Sequence, residues 1–298
     1  MPETIVVTRE HGPPYSKGLL AQSLSASGLS LERAFALARM VERRLETGAV
    51  RRIGVAELSE LVEAVLAEEE GEGAVRRFRD WQRVDRLARP LVVMLSGTAG
   101  VGKSTLATML AARLGMTRVI ATDAIRQVLR AFFSHEALPV VHHSSFEAGR
   151  TLDEQPEDGL DRDVAGFERQ AAAVAPGIAA IVERACEERT PLVVEGVHVL
   201  PGELDPALRE RCLAVEALLV VGDEDRHRAY LSMRGGERPA ARYLDRFAEI
   251  RKLQRHLADR ARDRGVPVIE STTIDGALLD AMDLVLDAVG RVSSSEPG

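Results

Sequence analysis

The sequence predicts an α/β protein: a parallel sheet with helices on both faces, preceded by a small and mostly helical module. Three observations predict it. From residue 89 onward, short apolar runs alternate with segments of helical periodicity, the pattern of strands joined by crossover helices. The first of those runs, Leu91 to Leu95, leads into the glycine-rich stretch GTAGVGKS, Gly97 to Ser104, and then into a helix that stops at Gly115. The ninety residues before it hold one short β-rich run and several amphipathic helices.

In the amino-terminal part, Thr4 to Thr8 is β-rich and HGPPYSKG, residues 11–18, is a loop by its Gly and Pro content. Ser30 is a suitable N-cap for a helix that puts Ala34, Leu37, Ala38, Val41 and Leu45 on one face and closes at Gly48. A second helix repeats the pattern with Leu58, Leu61, Val65 and Leu66, and a third runs from Ala74 towards Leu87 with Val75, Phe78 and Trp81 as its apolar side. Trp81 reads as a core or interdomain anchor. Expected boundaries are 1–88 for this module, 89–292 for the sheet domain and 293–298 for a disordered tail, SSSEPG.

Composition narrows the class. A chain of 298 residues suggests two domains, and a hydrophobic fraction of 45% can build a core in each. The net charge of -7 argues against a nucleic acid as main partner, which would require a basic face. Two cysteines, Cys186 and Cys212, make neither a disulfide framework nor a metal cluster and read as buried thiols of a reducing compartment. Neither a leader pattern nor an apolar run of bilayer length occurs, so a cytoplasmic enzyme without a membrane partner is expected. Whether copies associate into a homo-oligomer is left open.

The glycine-rich stretch carries the most specific chemistry. Gly97, Gly100 and Gly102 allow a tight turn, and with Thr98, Ala99 and Val101 they aim backbone N–H groups at a triphosphate on the positive end of the next helix. Lys103 reaches the β- and γ-phosphates, Ser104 takes one position on Mg²⁺, and Thr105 completes the motif, so ATP and Mg²⁺ are the expected cofactors.

Ligands of such sheets bind at the carboxyl ends of the strands, expected at Leu91 to Leu95, Arg118 to Ala121, Leu192 to Val194, Ala217 to Val221 and Val266 to Ile269. After the second run, ATDAIRQVLR puts Asp123 at the strand end and Arg126 on the same helical face. That suits a carboxylate taking the acceptor hydroxyl's proton, beside a guanidinium that orients it or grips an anion; the competing reading is that Asp123, or Thr122, merely caps its helix.

Residues 131–163 lack periodicity and contain VVHHSSF, in which His142, His143, Ser144 and Ser145, with His135 nearby, suit anion binding better than zinc, or else form a polar surface loop. Gly166 to Glu188 reads as a helix with Gln170, Gly177 and Arg184 towards the cleft. Glu195 ends the third run and suits Mg²⁺ held through water, with His198 and the Gly196 turn facing the acceptor. From Arg226 to Arg255 nine basic residues stand against three acidic ones, interrupted by Gly235, Gly236 and Pro239, the make-up of a lid. Arg234, Arg238 and Arg242 are its candidate phosphate contacts, whereas Arg246, Lys252 and Arg255 fit a solvated helix face equally well. The loop after the last strand, STTID, is expected against adenine.

Two resemblances follow from these residues. The opening strand with Arg9, the Ser16–Lys17 pair and the amphipathic helices resemble the ATP-cone, a regulatory nucleotide-binding module, which implies Arg9 and Lys17 as phosphate contacts. Thr8 departs from the usual basic pair of that module, and solvated charges on a packing module remain the other reading. Over nearly the whole chain, PPYSKGLLAQSL, GTAGVGKST, ATDAIRQVLR, HHSSF, VVEGVHVLPG and RYLDRFAEIRKLQ resemble the 2-phosphoglycerate kinase family. This resemblance implies a P-loop NTPase-type sheet and ATP- and Mg²⁺-dependent phosphorylation of the 3-hydroxyl of 2-phosphoglycerate. Its implied partners are ATP and a small anionic phosphorylated substrate. Another phosphorylated acid or polyol as acceptor, or a nucleotide-switched regulator without transfer, are the alternatives.

Overall fold

The computed structural model describes residues 6–8, 16–48, 52–84, 87–152, 159–233 and 240–295. Arg9, Arg234 and Arg238, named above, lie outside them. Two compact units are present, one of residues 1–87 with 282–298 and one of residues 88–281.

In the first unit, strand β1 (Val6–Thr8) pairs in parallel with β2 (Arg52–Gly54) in the register Val7 to Ile53. Helices α1 (Lys17–Ala26) and α2 (Leu31–Thr47) precede β2, and α3 (Val55–Glu70) and α4 (Glu72–Val84) follow it. Each start has a chemical cause. Ser16 and Ser30 accept from the backbone N–H groups of Leu19 and Arg33, at 3.3 Å and 3.2 Å, and Glu57 reaches back to the Gly54 N–H at 3.0 Å. Leu24, Leu37, Val41, Leu45, Val65, Leu66 and Phe78 form one core, which takes in residues that the periodicity marked on α2, α3 and α4 and adds Leu24 of α1. Trp81 is only half-buried. The Ser16–Lys17 pair opens α1 instead of ending a loop, and Lys17 Nζ donates to Glu42 at 2.9 Å.

The second unit is built on β3 (Leu91–Ser96), followed by α5 (Lys103–Arg113), β4 (Val119–Ala121) and α6 (Thr122–Phe132). Two 3-10 turns, Pro139–His142 and Ser145–Thr151, lead to α7 (Arg162–Glu188), β5 (Leu192–Glu195), α8 (Pro206–Arg211) and β6 (Leu213–Val220). The chain continues through α9 (Glu224–Ser232), α10 (Ala240–Leu244), α11 (Phe247–Arg264), β7 (Val268–Glu270) and α12 (Ile274–Ser295). All pairings are parallel, in the order β4-β5-β3-β6-β7.

β3 is the central strand, and all six of its residues are buried, which is why it reads as an unbroken apolar run. Val92 and Met94, with Leu192 and Val194 of β5, pack on Val174, Ile178 and Val182 of α7. The alternating residues Val93, Leu95 and Val193 are buried too, so the sheet is covered on both faces. β6 begins four residues before the expected Ala217 because Glu216, which breaks the apolar pattern, is buried and bonded to Arg209 and to the Gly202 N–H. α12 runs through the boundary expected at residue 292 and three residues into the expected tail, and its residues from Met282 onward group with the first unit. No helix among the described residues is long and apolar enough to cross a membrane.

α7 meets the second 3-10 turn backbone to backbone. A Cβ on Gly166 would lie 2.2 Å from the Gly149 nitrogen, so the contact exists only because both residues are glycine. Gly166→Ala is expected to destabilise the protein by about 2 kcal/mol, the usual cost of overpacking. A urea midpoint equal to that of the parent would show that the contact is not close.

Candidate active site

The loop between β3 and α5 is shaped by its neighbours. Gly97 has φ 146° and Gly100 φ 86°; a Cβ on the first would sit 2.6 Å from the Leu219 carbonyl, and on the second 2.6 Å from Leu231. Lys103 folds across the loop, buried, with Nζ donating to the Thr98 carbonyl at 2.7 Å. From α9, the fully buried His227 reaches the loop: Nε2 lies 2.8 Å from the Ala99 carbonyl, so the imidazole is the donor. Arg251 donates to His227 Nδ1 at 3.4 Å, which leaves that nitrogen as acceptor and the ring neutral. Burial pushes the His227 pKa below the ordinary histidine value in the same direction.

This loop fits a chain of phosphates. The amino terminus of α5 has no side-chain cap among the described residues, so its first N–H groups are left for an anion. Within the loop, Thr98 Oγ1 is buried with no partner among those residues, as is Ser96 Oγ just before it. An oxyanion would satisfy what the protein leaves open.

Backbone pairing then brings a carboxylate to the loop. Glu195, the last residue of β5, lies in register with Leu95 of β3 on one side and with Ala121 of β4 on the other. It is buried and accepts from Ser104 Oγ at 2.8 Å. A hydroxyl and a carboxylate oxygen converging beside a phosphate loop are the hard donors a small divalent cation requires.

Two residues past β4, Asp123 stands in the first turn of α6 with its carboxylate half exposed to the cleft. Neither it nor Thr122 caps the helix: Asp123 Oδ1 accepts from Arg126 Nε at 3.3 Å, and Thr122 Oγ1 lies 3.0 Å from His198 Nδ1. Arg126 also donates through Nη1 to the carbonyls of Val141 at 2.9 Å and His143 at 3.1 Å, so it fixes the turn as well as the carboxylate. Partial burial works against the Asp123 charge, but His198, Arg126 and Lys103 outweigh it and hold the carboxyl below its ordinary range. Because His198 is neutral near pH 7, the two cations carry that effect there.

His198 corrects an expectation. It does not face the acceptor: it is 2% exposed, with Nδ1 on Thr122 and Nε2 on Gln170 Oε1 at 3.0 Å. Gln170 Nε2 donates to the carbonyls of Val140 and His143, so its Oε1 must accept, His198 Nε2 must carry the proton, and Nδ1 accepts from the Thr122 hydroxyl. Burial lowers the His198 pKa to about 4. His198 and Gln170 therefore lie beneath the site and shape it. Gly177 packs on Ile125, and Arg184 forms an exposed pair with Glu188, so neither lines the cleft.

A cavity of about 510 Å³ gathers Lys103, Ser104, Asp123, Arg126, Glu195 and the Gly196 turn with His142, His143, Ser144, Ser145 and Arg242. Its remaining walls, unread in the sequence, include Gln127, Arg130, Phe146 and Tyr243. Arg242 pairs there with Glu147, a buried carboxylate that also meets Arg150 at 3.8 Å and Arg246 at 4.0 Å. Burial and the neighbouring His135 lower the His143 pKa. A second cavity, about 330 Å³, is lined by Gly100, Gly102, Thr105, Tyr230, Ser271 and Ile274, and Ser104 lines both. Two cavities meeting at one phosphate loop suit two substrates.

A five-stranded parallel sheet with a phosphate loop after its central strand, a carboxylate at the next strand end and an adjoining acceptor-sized cleft defines a P-loop kinase. No family model matches the chain. It is 35% identical to the 2-phosphoglycerate kinase of Methanothermobacter thermautotrophicus over 91% of this chain and 90% of that one. The enzyme of that name from Methanococcus maripaludis is 32% identical over 97% and 94%. The one from Pyrococcus horikoshii is 35% identical over 92% and 90%. The chain belongs to the 2-phosphoglycerate kinase family. It is a phosphotransferase that uses ATP and a small-molecule alcohol.

The buried neutral His198 has a measurable consequence. In the unfolded chain it is protonated below about pH 6.5, while in the fold it stays neutral to about pH 4, so the unfolded state binds the extra proton between these values. Stability is therefore lost as pH falls through that window, by about 2 kcal/mol from this group between pH 7 and 5. His227 and His143 act in the same direction. Urea unfolding of His198→Gln at the two pH values should show a smaller difference than the parent; an equal difference would refute the buried neutral ring.

Proposed function

We propose that this chain transfers the γ-phosphoryl group of ATP to the 3-hydroxyl of 2-phosphoglycerate, giving 2,3-bisphosphoglycerate and ADP. One observation carries the reading: the carboxylate of Asp123 and the Lys103 side of the phosphate loop line the same cleft, together with three arginines, Arg126, Arg130 and Arg242. A hydroxyl acceptor needs the first, a triphosphate donor the second, and an acceptor already bearing phosphate and carboxylate groups the third. The names of the relatives agree with that acceptor.

In the proposed reaction the triphosphate lies along Gly97–Thr105, with the nucleoside in the cavity formed by Tyr230, Ser271 and Ile274. Asp123, kept ionised by Arg126 and Lys103, accepts the proton of the attacking hydroxyl as its oxygen forms the new bond to the γ-phosphorus. The bond from that phosphorus to the β,γ-bridging oxygen breaks, and the charge leaves on ADP. Lys103 turns from the Thr98 carbonyl to the phosphate oxygens and meets the charge that builds there. Ser104 and Glu195 would hold Mg²⁺, which, when bound, neutralises phosphate charge. His143, Ser144, Ser145 and Arg242 serve as donors to the acceptor's anionic groups. For the first unit, the Lys17–Glu42 pair supports a packing role over phosphate contact.

Incubation with ATP, Mg²⁺ and a panel of phosphorylated acids and polyols tests the acceptor. Transfer to 2-phosphoglycerate is expected, and transfer only to another member of the panel overturns this choice. Asp123→Asn is expected to lower kcat by about a hundredfold or more while KM for ATP changes by no more than about threefold. Turnover within about threefold of the parent would sink the proton-acceptor role.

A further inference from the structure

We propose that Arg130 binds the phosphate the acceptor already carries, and thereby selects a phosphorylated acceptor; this rests on the acceptor reading above. Four cationic side chains line the larger cavity: Lys103, Arg126, Arg130 and Arg242. Lys103 belongs to the phosphate loop and donates to Thr98. Arg126 has Nε on Asp123 and Nη1 on two carbonyls of the first 3-10 turn and the residue after it. Arg242 is met by the buried Glu147. Arg130 has no carboxylate partner among the described residues; Nη1 donates to the neutral Gln127 Oε1 at 3.2 Å. An exposed guanidinium facing a cleft and held by a neutral amide keeps its full charge for an incoming anion.

Its place on α6 suits that role. Arg130 is two turns beyond Asp123, a rise of about 10 Å along the axis. Helical side chains lean towards the amino terminus, and the bond to Gln127 shows that Arg130 does so, which carries its fork back over the turn that separates it from Asp123. With the fork carried back to Gln127, about one turn, roughly 5 Å, separates it from Asp123, which suits a hydroxyl and a phosphate on adjacent carbons of one small acid. A planar guanidinium can bind two phosphate oxygens at once, and Gln127 holds the fork without neutralising it.

The test combines kinetics with binding in Arg130→Ala and Arg130→Lys. The expected result for Arg130→Ala is a KM for 2-phosphoglycerate raised about tenfold or more, with KM for ATP within about twofold and the thermal midpoint unchanged. Arg130→Lys should recover part of the loss, because a point charge replaces the fork. Calorimetric titration of 2-phosphoglycerate into protein saturated with a non-hydrolysable ATP analogue should show the same weakening without turnover. If the parent binds 2-phosphoglycerate and Arg130→Ala binds it equally well, the assignment is overturned and the acceptor reading stands. If the parent neither binds nor phosphorylates it, the acceptor reading fails and the assignment falls with it.

Discussion

Pairing of β5 with β3 in the register that sets Glu195 beside Leu95 is the constraint on which the rest of the structure depends. A slip of one residue would turn the carboxylate to the other face of the sheet. In the register present, Glu195 ends where the phosphate loop begins, and the first turn of α5 brings Ser104 onto it. Strand β4, in register with the same residue through Ala121, then fixes Asp123 only two positions beyond its own pairing. Three chemical groups far apart in sequence thus share one edge of the sheet.

Beneath that edge lies a layer of buried polar groups, Thr122, His198 and Gln170, with Arg126 beside them. The layer spans α6, the turn after β5, α7 and the first 3-10 turn, and its ring nitrogens and amide are all engaged. Gly196 adjoins it: with φ 149°, a Cβ there would fall on the Thr122 hydroxyl. Such a network is costly when partly satisfied and specific when complete, so it sets one arrangement of the turn carrying His143 and Ser144.

Much of this was legible in the sequence. The phosphate loop announces itself because its chemistry admits few residue types, and apolar runs mark the strands because a doubly covered sheet leaves no polar face. Asp123 and Glu195 could be placed because they stand at the ends of such runs, and Arg126 because it follows Asp123 by three positions on one helical face. His198 could not be read correctly: a position in the turn just after a strand end looks like a cleft site, and only the tertiary partners Thr122 and Gln170 turn it inward. Arg130, Glu147 and Tyr243 gave no signal, since charged and aromatic residues in helices and irregular segments are ordinary. Likewise α1 escaped notice because its first residues resemble the loop they end, and β2 because three residues carry no periodicity.

The two walls of the acceptor cleft are fastened by different kinds of force. On one side, the irregular chain from Pro139 to Thr151 is secured by Arg126, Gln170 and the Gly149–Gly166 contact, all close-packed or buried. On the other, Arg242 of α10 meets Glu147 with the guanidinium 56% exposed. Because that guanidinium is largely exposed, added salt weakens its hold on Glu147, whereas the buried hydrogen bonds of Arg126 and Gln170 to backbone carbonyls are screened much less. Ionic strength thus acts more strongly on one wall than on the other, and any anion proposed to bind Arg242 competes for it with a carboxylate that belongs to the protein itself.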